Sequence, residues 1–263
     1  LAAFVFASCS DSSSDGSSSP SITPANPEGI NLINGSTSDF LSRVANYKNS
    51  TANARKFFFS RAGQQAFATA VPEIPTQPSN AKMLNNPADL VAGQTYQVTG
   101  NGKVLDMTGK KIAGATIYVN GGATMKYDGE ATGCKIYVKK GGVLEYNGNG
   151  ELVPAGAEVI CDLGTITSTN NIVVAGELYA NWRGEKTDDE GNVKKIQTGL
   201  GSVVKGTTTP TQNITFKSGA QSYIVGSLRA KELTIEDGAS VNATAHIMNA
   251  TTVNVNGALQ FGG

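Results

Sequence analysis

Side chains able to do chemistry are few and poorly grouped in this 263-residue chain. The single histidine, His246, sits in Ala-Thr-Ala-His-Ile-Met with no glycine beside it. One imidazole excludes any site that needs two, and this context predicts a strand residue rather than an acid–base catalyst. Asp188, Asp189 and Glu190 are contiguous. They cannot all face one ion as the spaced acidic residues of a calcium loop do, so they predict a solvated loop tip. Cys134 and Cys161 lie 27 residues apart, which fits no zinc spacing. Cys161, in Val-Ile-Cys, is expected to point inward as a small apolar residue, the alternative being a disulfide to Cys134. Aromatic rings are the usual handle for sugars, because CH groups stack on them. Tyr118, Tyr137 and Tyr179 recur beside apolar strand residues and should point outward, and Trp182 follows. These four are the candidate glycan contacts, although β-propensity on an exposed sheet face would also place tyrosines there. No catalytic residue, metal ligand or cofactor site is predicted.

The elements that carry these residues form a repeat. From residue 95 onward an apolar residue, any residue, an apolar or small residue and then a nearby glycine recur. The units start at Tyr96, Ile117, Ile136, Val153, Ile172, Ile214, Leu233 and Val253. The intervals are 21, 19, 17, 19, 42, 19 and 20, and the long one contains an insertion over 182–204, the most charged stretch of the chain. A steady period near 20 is the mark of a solenoid. One short strand cannot bury its inner face alone, whereas coils stacked at ~4.8 Å build continuous inner columns. The expected fold is mainly β, a right-handed parallel β-helix of about 19–20 residues per coil. Left-handed β-helices keep strict hexapeptides, and these intervals vary. An antiparallel β-sandwich of hairpins is the alternative, since 117–127 and 136–146 also read as hairpins.

Val-Val-Ala-Gly-Glu-Leu (173–178) and Tyr-Ile-Val-Gly-Ser-Leu (223–228) resemble coils of bactofilins, bacterial scaffold proteins that polymerise end to end. The resemblance spans roughly residues 95–263 and implies a β-helix and, as one alternative, a self-polymerising scaffold.

The first part of the chain has a different composition. Seven of the nine prolines but only four of the 31 glycines precede residue 88. Residues 1–9 are an apolar run ending Ala7-Ser8-Cys9, which resembles a bacterial lipoprotein signal that begins inside its apolar segment. The resemblance implies acylation of the Cys9 thiol and membrane attachment through lipid. Residues 10–37, rich in Ser and then Pro, predict a disordered tether. Its Cys-Ser-Asp start is similar to that of Bacteroidota surface lipoproteins, which implies an outer-membrane, surface-exposed location. Residues 38–70 predict a short helical segment that could cap the solenoid, because Phe40, Leu41, Val44 and Tyr47 have helical spacing. Residues 71–94 read as a Pro-rich linker, and 95–263 as the β-helix.

Twenty-one basic residues balance 21 acidic ones, so nothing favours nucleic acid. The expectation is a noncatalytic envelope lipoprotein with a structural or adhesive, glycan-binding role and with carbohydrate or another surface protein as partner. A polysaccharide lyase or glycosidase with its active site beyond residue 263 is the alternative from another class. The repeat reaches Gly263 unchanged, which predicts truncation there, or self-association through an open last coil.

Overall fold

The computed structural model describes residues 31–32, 57–59, 67–187, 193–197, 199–202, 207 and 209–261. Cys9, the tether up to residue 30, most of the predicted helical segment and the Asp188–Glu190 tip lie outside them.

The solenoid is present. Parallel strands stack into about seven coils, and each full coil contributes to three faces. The main face takes Lys82–Met83, Thr95–Val98, Thr116–Val119, Lys135–Val138, Glu158–Asp162, Glu177–Asn181, the starts of the long strands Gln221–Ile235 and Ser240–Val255, and finally Ala258–Phe261. Its inward column runs Tyr96, Ile117, Ile136, Val159, Leu178, Ser222, Val241, Leu259 in register. The second face begins with Val104–Asp106, Thr124–Tyr127, Val143–Tyr146 and Thr165–Ser168, whose Leu105, Met125, Leu144 and Ile166 stack inside. The third face has Ile112–Ala113 beside Ala131–Thr132 and, further along, Ile172–Val174 beside Ile214–Phe216. One continuous apolar core fills the coils from Leu84 to Leu259.

The predicted repeat starts belong to two faces. Tyr96, Ile117 and Ile136 stack on the main face, whereas Ile172, Ile214, Leu233 and Val253 form a column on the third. Val153 also lies on the third face, two residues out of register with that column, in a lone bridge to Val174. An apolar-x-apolar-Gly unit fits any face of such a coil, so the pattern alone cannot say which face it reads.

Corners are set by backbone. Gly102, Gly122 and Gly141 have φ of 72°, 81° and 77°, and the amide of each donates to the carbonyl of the residue stacked on it, ending at Leu163. Leu163 takes the same left-handed turn at φ 53° without being glycine, a conformation that costs a side chain roughly 1 kcal/mol.

The insertion is narrower than 182–204. Ile172 and Ile214 are direct neighbours, as stacking around an insertion requires. Trp182, however, is a core residue, and Gly199–Leu200 rejoins the stack against Ser227–Leu228. What leaves the rod is the antiparallel hairpin of Arg183–Thr187 and Val193–Gln197.

Both ends differ from expectation. Within the segment predicted to be helical, Phe57–Phe59 is a strand. It pairs antiparallel with the last strand, Phe57 against Phe261 and Phe59 against Leu259, and Asn31–Leu32 pairs on its other side. An open strand edge offers a row of unpaired N–H and C=O groups, and here the chain covers that edge itself. The strand edge that the repeat left open at the last coil is therefore paired within the chain. At the first coil the cap is local: Leu84 and Leu90 close the core, and the short 3-10 turn Pro87–Asp89 is pinned by the Tyr96 hydroxyl donating to Asp89 O.

Residues 71–78 are no free linker. From residue 68 the chain crosses the outside of the main face as a strap. Residues 68, 71, 74 and 77 are half-buried, and Thr69, Ala70, Pro72, Glu73, Pro75, Thr76 and Pro78 are exposed. Prolines at every third position and a three-residue burial period are those of a polyproline II helix. Asn242 Nδ2 donates to Ala68 O at one end, and Gln77 Nε2 to Gln97 Oε1 at the other. Those anchors are six strand spacings apart on the face, or ~29 Å at ~4.8 Å each. The nine-residue step from Ala68 to Gln77 covers ~28 Å at ~3.1 Å per residue. Three residues of strap thus advance two coils.

Two outcomes are expected. Replacing residues 183–197 with a short Gly bridge should leave a cooperative thermal transition within a few degrees of the parent, because the hairpin adds no coil to the stack. Ser222 is buried in the inward column with no partner for its Oγ among the described residues, so Ser222→Ala should raise stability by about 1 kcal/mol in chemical denaturation.

Candidate functional site

The outward column of the main face runs Met83, Gln97, Tyr118, Tyr137, Ile160, Tyr179, Tyr223, Asn242, Gln260. Strict alternation along each strand sends these side chains away from the core, so the predicted direction of Tyr118, Tyr137 and Tyr179 is correct. Their predicted exposure is not. They are 3%, 3% and 6% exposed, and form a second apolar cluster with Ile160, against which Ala68, Val71, Ile74 and Tyr223 pack. The strap occupies the surface on which a sugar would stack. Trp182 is 2% exposed and lies in the main core. None of the four candidate glycan contacts is available on the surface of this structure.

The tyrosine groove is finished by the solenoid's own side chains. Rings of Tyr118 and Tyr137 lie 5.1 Å apart and tilted, and Lys139 Nζ sits 5.2 Å from the Tyr118 ring centre. The Tyr137 hydroxyl donates to Glu158 Oε1 at 2.9 Å, and the Tyr179 hydroxyl to Glu177 Oε2 at 2.9 Å. Burial first, and then these carboxylates, push both phenols far above their ordinary value.

Cys134 and Cys161 are both free and buried, and Cys161 points into the core as expected. Burial pushes the Cys161 thiol up to about 12, against a smaller opposing pull from the Trp182 indole. Burial also raises Cys134.

An open concavity lies on the third face. Between Ile136 and its stacked partner Val159 the chain takes 23 residues, and the excess forms a loop at 147–154 instead of a third-face strand. The sheet is interrupted there, leaving a hollow of about 580 Å³ whose polar lining includes Lys111, Glu130, Asn149, Glu151 and Lys217. The loop is fixed from inside. The Tyr127 hydroxyl donates to Leu152 O and the Tyr146 hydroxyl to Gly150 O, each at 2.7 Å. Across the hollow, Lys217 Nζ meets Glu151 Oε1 at 2.8 Å, and that carboxylate raises the lysine above its ordinary value. Nearby, Asp128 Oδ2 accepts from the Gly109 amide at 2.6 Å, while Oδ1 is buried without a partner among the described residues. The hollow has the size of a small-molecule site and presents hydrogen-bond donors and acceptors of both charge signs. Among the described residues no three His, Cys, Asp or Glu side chains converge in a metal-binding group.

His246 lies in the long strand Ser240–Val255, as its sequence context predicts. Two features escaped the sequence reading. The 147–154 loop showed only as the short 17-residue interval before Val153. The docked strap had a visible signal in Pro72, Pro75 and Pro78, whose regular spacing is that of one helix and not of a random linker.

No family model, curated protein or solved structure matches the chain.

The buried phenols and thiols yield a pH expectation. These groups stay protonated in the folded chain beyond the pH at which they ionise when unfolded, near 9.0 for Cys161 and 10.0 for Tyr146, whose folded values are raised to about 12. The unfolded chain then holds fewer protons, so stability falls as pH rises from about 9 towards 12. A spectrophotometric titration should show tyrosinate appearing later in the native protein than in denaturant, with the melting temperature dropping over that window.

Proposed function

We propose that the protein is a noncatalytic cell-envelope lipoprotein, acylated at Cys9 and displaying its solenoid at the outer-membrane surface in a structural or adhesive role. One observation supports a definite orientation. Asn31–Leu32 pairs with Phe57–Phe59, which pairs with the last strand of the rod. Asn31–Leu32, within the stretch predicted to be a disordered tether, thus form a strand that joins the solenoid at its last coil. An anchor at Cys9 would attach to the rod at that coil, which favours the first coil pointing outward.

The outward end has the character of a contact surface. Met83, Val91 and Val104 are 46%, 56% and 53% exposed, and these large apolar residues all lie at the first-coil end of the rod. The edge strands Lys82–Met83 and Val104–Asp106 lie there as well. Another surface protein fits that end, and carbohydrate fits the third-face hollow. An end-to-end polymer of bactofilin type is less well supported, because Phe57–Phe59 occupies the edge such a polymer would extend.

Cys9→Ala in the full precursor should move the protein from membrane to soluble fractions. On intact cells, a membrane-impermeant maleimide should label Val104→Cys faster than Thr251→Cys. Equal labelling, or faster labelling of the last coils, would refute the orientation. Release of sugars from a polysaccharide panel, abolished by Glu130→Gln or Glu151→Gln, would favour the enzyme reading instead.

A further inference from the structure

We propose that the tyrosine-lined groove of the main face is a docking site for extended proline-rich peptides, and that residues 68–78 are its intramolecular occupant. The ligand class is a polyproline II segment in which every third residue faces the groove and is followed by proline. Val71-Pro72, Ile74-Pro75 and Gln77-Pro78 supply that pattern here. This inference does not depend on the lipoprotein reading.

The geometry selects for that backbone. A polyproline II turn advances ~9.3 Å per three residues and two strand spacings advance ~9.6 Å, so consecutive facing residues meet equivalent sites on alternate coils. A β-strand laid along the rod, at ~3.3 Å per residue with a period of two, would meet the ladder at ~6.6 Å intervals and fall out of register. Aromatic ladders are suited to prolines and the residues beside them, because a preformed helix loses little entropy on docking.

The groove is complete without the strap. The hydroxyls of Tyr137 and Tyr179 are satisfied by Glu158 and Glu177 of the sheet itself. The strap's facing side chains Ala68, Val71 and Ile74 contribute apolar packing, and the hydrogen bonds that tie it down fall at its ends, at Ala68 and Gln77. Its fit is incomplete. A hollow of about 540 Å³ lies beside Glu73–Gln77, walled by Lys139, Lys140 and Asp162. A bulkier or more acidic ligand residue has room there, next to two lysines.

An intramolecular occupant acts at an effective concentration in the millimolar range for a short connection. A free peptide therefore binds the parent protein only in proportion to the fraction of chains whose strap is off. The test is fluorescence anisotropy with a labelled peptide of the 68–78 sequence, using the full chain carrying Cys9→Ala. Val71→Ser with Ile74→Ser, which weakens the strap, should bind the peptide at least ten-fold more tightly than the parent. Adding Tyr137→Ala should remove most of that gain, and a peptide with its prolines moved one position should not bind. Gln77→Cys with Gln97→Cys, joined by a short reducible bis-maleimide to lock the strap, should abolish binding, with recovery on reduction. A folded strap-weakened chain that ignores the peptide, or binds the shifted peptide equally, overturns the proposal. Should that variant not fold, equal peptide binding by the locked and reduced forms overturns it.

Discussion

The strand-to-strand spacing of a parallel sheet, ~4.8 Å, is the constraint on which the rest of this structure depends. Every coil must return to its starting point one spacing further along, so that inward residues meet inward residues. The column from Tyr96 to Leu259 is the outcome. Extra residues cannot be absorbed within a coil and must leave it. Those of the sixth main-face strand leave as the Arg183–Gln197 hairpin, and those after Tyr146 as the loop that breaks the third face. The same requirement explains Leu163, which keeps the left-handed corner turn of the glycines stacked below it because its coil must bend where theirs do.

The strap obeys the spacing from outside. A polyproline II helix is one of few backbones whose repeat is commensurate with it, and prolines at 72, 75 and 78 hold the segment in that form before it docks. Docking removes from water a row of aromatic rings that would otherwise make a large exposed patch on a monomer. It also links the two ends of the rod. The segment leaves the Phe57–Phe59 cap on the last coil, crosses the face, and turns into the first coil, with the Ala81 amide donating to Pro78 O.

Polar groups are arranged by the same stacking. Lys135 with Glu158 and Lys126 with Glu145 are ion pairs between neighbouring coils, half-exposed and each of small energetic value. Where the sheet is interrupted, charge gathers instead around a hollow, and Glu151 with Lys217 spans it. Continuous faces present ladders of paired side chains, and interruptions present concave sites.

Amino-acid order alone determined the solenoid, its period, the stacking of Ile172 on Ile214 and the inward path of Cys161, because strand alternation and coil length are local properties written in each repeat. It did not determine which face a unit occupies, since Val153 and Ile136 look alike in sequence yet lie on different faces. It also misplaced Trp182, whose charged neighbours begin one residue later. The tyrosines were legible as outward residues but not as covered ones. Burial of Tyr118, Tyr137 and Tyr179 depends on a segment far away in sequence that reaches them only after the coils exist. Phe57–Phe59 carries no local strand pattern to set it apart from a helix, and its state was decided by the unpaired edge of Ala258–Phe261, about 200 residues away. Local periodicity fixes a coil, whereas covering its edges and outer face is a long-range match of lengths and hydrogen-bonding groups that only the assembled rod can select.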